Sequence, residues 1–403
     1  MPETTTLNNY FEPSHISLSE EAEQFARREI EPRAAEQADY LPQAHDFLKR
    51  IADHGLLRYV VPQAFGGAHP HLDIRSLCLI RQALARHSAL ADTMFAIQGL
   101  GSCPITLAGN ERQKQRFLPP VARGEAVAAF ALTEPEAGSY AAGVQTTARR
   151  EGNEYRLDGE KRFISNAGIA DFYVVFAKTD ATQGRKGISA IVVEKNRVGL
   201  TTRAQEVMAP HPIGEMQFKN CRVPVENRLG EEGEGYSILL RTLESFRTTV
   251  GAAALGMGER ALIEATAYTQ KRVQFGKALS EFQATRFGLA EMATELEAAR
   301  LLVYEAAWGL DYARKTGVAG TGAGISAAGG AERALILASS MAKLYATEAA
   351  QRVIDRGLQM HGGLGVLKGS IIERLYREIR ALRVYEGTSE IQKEIIAHQL
   401  LKS

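Results

Sequence analysis

Near the C-terminus, the run Tyr385-Glu386-Gly387-Thr388-Ser389-Glu390-Ile391-Gln392 sets one carboxylate, Glu386, against a glycine just before a helix. Thr388 and Ser389 suit the helix N-cap, and Ile391, Ile395, Ile396 and Leu400 offer an apolar face behind them. A carboxylate in this position can abstract a proton beside a bound cofactor, or it can do no more than complement the helix dipole. Taken alone, the segment leaves both readings open. Three other stretches carry residue types able to hold such a ligand. In Phe130-Ala131-Leu132-Thr133-Glu134-Pro135-Glu136-Ala137-Gly138-Ser139, small residues let backbone N–H groups approach a ligand, and Thr133 and Ser139 add hydroxyls. Lys161-Arg162-Phe163-Ile164-Ser165-Asn166 puts Phe163 and Ser165 on one strand face, where they could pack on and hydrogen-bond a flat ring or be core and surface trim. Arg272-Val273-Gln274-Phe275-Gly276-Lys277 sets a guanidinium and an aromatic beside a glycine turn, which suits a diphosphate clamp or a solvated helix end.

Other chemistries find no support. Gly322-Ala323-Gly324-Ile325-Ser326-Ala327 has the spacing of a dinucleotide fingerprint, but no strand precedes it, and it reads as a mobile loop. Gly276-Lys277 lacks the upstream glycine of a phosphate loop, and there is no G-x-S-x-G elbow. The histidines form no H-E-x-x-H pair, so no metal site is expected. Cys78, Cys103 and Cys221 are widely spaced and odd in number, which fits a reducing, cytoplasmic setting rather than a disulfide framework.

The elements that must position these residues follow from pattern. At 403 residues the chain is expected to hold two or three domains. Its 48 Lys and Arg nearly cancel 47 Asp and Glu, so no global field favours nucleic acid or an anionic membrane. No apolar run reaches the roughly 20 residues of a membrane span. Helical spacing dominates from Leu18 to about Val127, opening on a Ser19 cap, with a second helix near 44–54 and a third from near Asp73. Between about Ala128 and Gly235 strands are expected at 172–178, 188–194 and 215–223, and a hairpin at Asp158-Gly159. This region is too short in its connections for parallel crossovers. Leu239, Leu243, Phe246, Val250, Ala253, Met257, Ala261 and Ala265 mark a long helix with one packed stripe. Helices at 280–313, 331–356 and from Ser389 complete a four-helix bundle. The fold class is therefore α+β: an N-terminal helical domain (1–127), a central antiparallel β domain (128–240) and a C-terminal four-helix bundle (241–403).

Order and spacing together carry a resemblance that no motif carries alone. G-L-L-R-Y-V-V-P-Q-A-F-G-G, L-T-E-P-E-A-G-S, K-R-F-I-S-N, R-V-Q-F-G-K, Q-M-H-G-G-L-G and Y-E-G-T-S-E-I-Q occur in sequence, and from about residue 18 to 403 the chain resembles the acyl-CoA dehydrogenases. The resemblance implies non-covalent FAD between the β domain and the bundle. Phe130, Leu132, Thr133, Gly138 and Ser139 would line the flavin and its diphosphate; Phe163 and Ser165 would flank the ring, with Ser165 near N5. Arg272, Gln274, Phe275, Gln283, Gln359 and Gly363 would reach the FAD of a neighbouring subunit in a homotetramer, and Thr388 and Glu390 would return to the flavin. Glu386 matches the catalytic base; the position used for the base by some relatives is Phe246 here, which cannot take a proton. Ser139, Glu244, Arg247 and Gly387 would touch an acyl-CoA substrate. The implied reaction is α,β-desaturation to a trans-2-enoyl-CoA, with electrons passed to an electron-transferring flavoprotein. An oxidase using dioxygen and a non-catalytic helical relative are the alternatives. Tyr140 in place of Asp, His211-Pro212-Ile213-Gly214 in place of a polar S-x-T stretch, and the long Gly-rich segment 316–330 depart from the family pattern.

Overall fold

The computed structural model of the chain describes residues 10–317 and 330–401. The segment 322–327 therefore lies outside the described residues. Helices α1 (Pro13–Phe25), α2 (Leu41–Asp53), α3 (Ile74–His87), α4 (Ala89–Ala108) and α5 (Glu111–Ala122) come first. Strands β1 (Ala128–Ala131), β2 (Thr147–Glu151), β3 (Glu154–Ser165), β4 (Phe172–Lys178), β5 (Ile188–Glu194), β6 (Leu200–Ala204), β7 (Ile213–Pro224) and β8 (Arg228–Leu229) follow. The chain then runs through α6 (Gly235–Lys271), the ribbon β9 (Val273–Gln274) and β10 (Lys277–Ala278), α7 (Gln283–Thr316), α8 (Ala331–His361), α9 (Ile371–Leu382) and α10 (Ser389–Leu401). The class is α+β, helical at both ends of the sequence with a mostly antiparallel sheet between.

These elements form two compact units. The sheet unit holds Ala38–Leu72 and Thr93–Leu243. Its strand order is β6-β7-β3-β2-β4-β5-β8, with β1 alongside β4. β4 (F-Y-V-V-F-A-K) and β5 (I-S-A-I-V-V-E) are buried along nearly their whole length, as continuous apolar runs should be when both faces are covered. β7 alternates, as expected of a strand with one wet face. Gly101 on α4 has no room for a side chain, because a Cβ there would lie 2.8 Å from Ala128 Cβ, so this helix can approach β1 closely. Two expectations are corrected here. The β1–β4 pairing is parallel, because the chain visits β2 and β3 before returning to lay β4 beside β1. Asp158-Gly159 is no hairpin: β3 runs straight through it, and the β2–β3 turn falls at Gly152 and Asn153. The pair instead forms a bulge against β7, where Asp158 accepts a hydrogen bond from the Asn220 N–H at 2.7 Å.

The helical unit holds the chain up to Gln37, Asp73–Asp92 and everything from Glu244. Helix α1 begins at Pro13, six residues before the expected Ser19 cap. Its first turn is closed by His15 Nδ1, which accepts from the Glu12 N–H at 3.1 Å. Helix α3 begins near Asp73 as expected, and Asp73 caps it, accepting from the Ser76 N–H at 2.8 Å. Helix α6 carries more than one packed stripe: residues 245–261 are buried all round. Its small residues make this possible. A Cβ on Gly256 would fall 2.1 Å from Gln82 O on α3, and one on Gly258 would fall 2.6 Å from Leu296 Cδ2 on α7. Helix α8 packs on α7, α9 and α10. The sequence pattern missed α9 and β6. On α10 the buried residues are Ser389, Gln392 and Gln399, whereas Leu400 is exposed and the isoleucines are only half-buried, so the expected apolar face is corrected to a polar one.

The bulge generates a stability prediction. Gly159 has φ +148°, and a Cβ there would lie 2.7 Å from Thr146 Cα. Gly159→Ala should destabilise the sheet unit by about 1–3 kcal/mol, the scale of overpacking a tight site. A lowered urea midpoint is expected; an unchanged midpoint contradicts the packing described.

Candidate active site

In the helical unit, α9 ends at Leu382 and the chain turns through Tyr385, Glu386 and Gly387 before α10. Glu386 has φ +51° and Gly387 φ +91°, so a non-glycine residue holds a left-handed conformation at the centre of the turn. The turn is fastened from below. Lys343, on α8 and fully buried, donates from Nζ to Gly387 O at 2.7 Å. Gln392 Nε2 donates to the same carbonyl at 3.1 Å and to Glu386 O at 3.3 Å. Thr388 Oγ1 caps α10 by accepting from the Ile391 N–H at 3.3 Å. Glu348 accepts from Ser389 Oγ at 2.5 Å and from Arg383 Nε at 2.9 Å, tying both flanks of the turn to α8.

The carboxyl held by this turn has Oε2 buried without a hydrogen-bond partner. Burial raises the Glu386 pKa above the ordinary range, and the positive charges of Arg81, Lys343 and Arg247 oppose that rise. Arg81, on α3, is itself buried and paired with Asp92 through two bonds of 2.8 Å, with a third to Thr249 Oγ1 at 2.8 Å. Arg247, on α6, reaches Ser340 Oγ at 3.2 Å, while its Nε is buried without a partner. Burial lowers Lys343 to about 8, against the pull of Glu386. A proton acceptor with an unpartnered oxygen, in the field of buried cations that favour its ionised form, is suited to general-base work.

Sequence reasoning found Glu386, Gly387, Thr388 and Arg247, which the fold brings together. It missed Lys343, Arg81, Asp92 and Gln392. A signal for Lys343 existed: with Ser339, Ala346 and Ala350 it falls on one buried stripe of α8 at steps of four, three and four. Glu244 lies about one turn before Arg247 and contributes to its charge environment. Glu390 is exposed. Phe246 is 1% exposed and packed into the unit, so it offers no competing base.

Arg272, Gln274, Phe275, Gln283, Gln359 and Gly363 are all exposed and gather at one end of the helical unit. Phe275 sits at φ +51° at the tip of the β9–β10 ribbon and is 94% exposed. Tyr268 stacks on His361 with ring centroids 4.4 Å apart, and Arg356 pairs with Glu291 at 2.5 Å, bringing the ends of α6, α7 and α8 together. Gln359 and Lys343 are sixteen residues apart on α8, or about 24 Å along the axis. Within one chain, this group is remote from Glu386.

The sheet unit carries the remaining candidates. Phe163 is half exposed at φ +55°, and its N–H is taken by Gln205 Oε1 at 3.1 Å. Ser165 Oγ lies 2.7 Å from His211 Nε2. The Leu132–Ser139 loop is anchored by buried Lys161, whose Nζ donates to Leu132 O (3.0 Å), Glu134 Oε1 (2.8 Å) and Phe176 O (2.6 Å). Burial lowers Lys161 to about 8, against the pull of Glu134. Thr133 accepts the Arg162 N–H at its carbonyl (2.8 Å), joining this loop to β3. Gly138 and Ser139 are exposed, with open space where a Gly138 Cβ would be. Phe130 packs its ring 4.9 Å from Phe176, a core contact.

Comparison with known proteins bears on this arrangement. Three family descriptions match: "Acyl-CoA dehydrogenase, N-terminal domain" over residues 12–125, the middle domain over 129–221 and the C-terminal domain over 233–401. An acyl-CoA dehydrogenase of Bacillus subtilis is 40% identical over 94% of this chain and 95% of its own. A subunit of the caffeyl-CoA reductase–Etf complex of Acetobacterium woodii is 35% identical over 98% and 100%. The crystal structure of a Bacillus anthracis acyl-CoA dehydrogenase complexed with FAD superposes with a TM-score of 0.87 at 33% identity, over 100% of this chain and 68% of that one.

The electrostatics predict a measurable shift. Lys343→Met removes a cation that favours the ionised Glu386, so the carboxyl should titrate at higher pH than in the unaltered protein. Infrared difference spectra can follow the protonated carboxyl band, assigned by its loss in Glu386→Gln. A shift to lower pH, or none, contradicts the description of the site.

Proposed function

We infer the roles of these residues from one premise: the chain belongs to the acyl-CoA dehydrogenase family. It is an FAD-dependent enzyme that desaturates an acyl-CoA thioester between Cα and Cβ to a trans-2-enoyl-CoA. The observation that carries the assignment of roles is Glu386, a carboxyl raised by burial, with one oxygen unbonded and the backbone held left-handed.

The residues present fit a flavin nucleotide. Open space beside Gly138, an exposed ring at Phe163 and the Ser165 hydroxyl supply room, a packing face and a polar contact. Phe163 and Ser165 are proposed to flank the ring system, with Ser165 at N5; Leu132, Thr133, Gly138 and Ser139 are proposed to follow the rest of the cofactor. FAD, when bound, would supply the acceptor for the hydride that leaves Cβ. Every other task falls to the chain. An α C–H beside a thioester is a weak acid, and removing its proton builds negative charge on the thioester oxygen. Glu386 takes that proton; its raised pKa brings it closer in basicity to the task than an ordinary glutamate. The backbone N–H of Glu386 donates to the thioester oxygen. As Glu386 becomes neutral, the positive charges of Lys343 and Arg247 are left to offset the charge growing on the substrate. Arg247 and Glu244 orient the thioester arm.

The exposed group at the end of the helical unit is proposed to serve a second copy of the chain. Its distance along α8 from Lys343, which holds the Glu386–Gly387 turn, favours contact with a neighbour's FAD, and Val273, Phe275, Phe287, Leu364, Val366 and Leu367 nearby are exposed apolar residues that a subunit interface would cover. The proposed assembly is a homotetramer. Electron-transferring flavoprotein is the proposed acceptor, in line with the Etf-complex relative. The three cysteines are buried, widely spaced in the chain and odd in number, which supports a reducing cytoplasmic location. Among the described residues no helix is long and apolar enough to cross a membrane.

Two measurements test these roles. Glu386→Gln should keep FAD and acyl-CoA binding but slow flavin reduction in anaerobic single turnover by at least about 10²-fold, the scale of general-base catalysis. Near-normal reduction would remove Glu386 from the mechanism. Arg272→Ala should weaken FAD retention together with assembly in sedimentation runs; an FAD-saturated monomer would overturn the shared-cofactor reading.

A further inference from the structure

The hydroxyl proposed to meet the flavin is not free to turn. Ser165 Oγ lies 2.7 Å from Nε2 of His211, a residue on the loop entering β7. The backbone on both sides of this contact is tied down. Tyr40 OH donates to His211 O at 2.9 Å, and Pro212 O accepts the Asn166 N–H at 2.6 Å. Asn166 itself is buried at φ +63°, and its Nδ2 donates to Ala128 O at 3.1 Å, so the end of β3 is locked against the sheet. Ser165 also pairs in register with Ile213 on β7, which fixes the distance between the two side chains.

We propose that His211 is a positioning residue for the flavin: by bonding Ser165 Oγ it sets the direction of that hydroxyl at the ring edge and so biases the cofactor between its oxidised and reduced forms. This rests on the reading of Ser165 as the contact at N5. A hydroxyl has one proton to give. The oxidised ring presents a lone pair at N5, and the reduced ring presents an N–H. If the serine proton is committed to His211, Oγ offers only lone pairs outward and suits the reduced ring. If instead His211 Nε2–H donates to Oγ, the serine proton is free for the oxidised ring. Burial lowers His211 to about 4, so at neutral pH the imidazole carries one N–H and one lone pair and holds one of these two arrangements. A serine facing water at this position would have no such bias.

The test is a double-mutant cycle on the FAD-loaded enzyme, read by spectroelectrochemical titration of the flavin at fixed pH in the unaltered protein, His211→Ala, His211→Gln, Ser165→Ala and the His211→Ala/Ser165→Ala pair. His211→Ala should change the oxidised-to-reduced ratio at a given potential by roughly three- to tenfold, the scale of one hydrogen bond, and the sign tells which arrangement the native pair holds. His211→Gln, which returns an amide near the same place, should recover part of the shift. In the Ser165→Ala background, His211→Ala should add nothing. FAD content and melting temperature report folding; where His211→Ala loses FAD, His211→Gln with and without Ser165→Ala carries the same comparison. A His211 effect that is absent, or that persists without the serine hydroxyl, overturns the proposal. If Ser165→Ala alone leaves both the potential and the flavin spectrum unchanged, the reading of Ser165 as a flavin contact falls, and the proposal falls with it.

Discussion

A carboxylate removed from water must be paired, hydrogen-bonded or driven toward its neutral form. Glu386 is left between these outcomes, and much of the helical unit serves to keep it there. The cation that most opposes the rise in its pKa, Arg81, is already committed to Asp92, so it acts on Glu386 through its charge and not through a direct ion pair. Lys343 donates to the Gly387 carbonyl, holding the backbone of the turn, while Oε2 of Glu386 stays unbonded. A direct salt bridge to either cation would have lowered the pKa and removed the basicity. The left-handed φ of Glu386 is uncommon for a residue with a side chain, and the bonds from Lys343 and Gln392 are what over-determine it.

The same constraint reaches into the helices. Arg247 can stand in the interior only because α6 is buried all round, and α6 can be buried all round only because Gly251, Gly256 and Gly258 admit neighbours that a Cβ would block. Sequence, packing and electrostatics are joined here: small residues set helix separation, helix separation sets which cations face the carboxyl, and those cations set its proton affinity. In the sheet unit, positive φ at Phe163 and Asn166 brackets Ser165 in the same way, and Lys161 plays the anchoring part that Lys343 plays under Glu386.

What could be read from the residues alone divides along physical lines. β4 and β5 were legible because a strand covered on both faces must be apolar throughout. Asp158-Gly159 misled because the dipeptide that favours a tight turn also tolerates a bulge, and only the partner strand decides between them. The terminal helix misled because its buried side is polar: Ser389 and Gln392 face inward to bond Glu348 and the carbonyls of the turn, a job no apolar residue could do. Glu386, and Phe163 and Ser165, which are proposed to flank the ring, stood out through short motifs. Lys343 and Arg81 did not, since a buried cation looks like a surface one until the packing around it is known. His211 was visible only as a departure from a polar stretch, with its partner 46 residues earlier in the chain.

The central claim is that burial, opposed by fixed cations, sets the basicity of Glu386. The most direct measurement is the pH dependence of flavin reduction in anaerobic single turnover with saturating acyl-CoA. A base must be ionised to act, so the rate should fall on the acid side through one ionisation lying above the ordinary glutamate range, and that limb should vanish in the residual rate of Glu386→Gln. A rate that holds steady down to ordinary glutamate pH, or an acid limb that survives in the glutamine variant, would contradict the account.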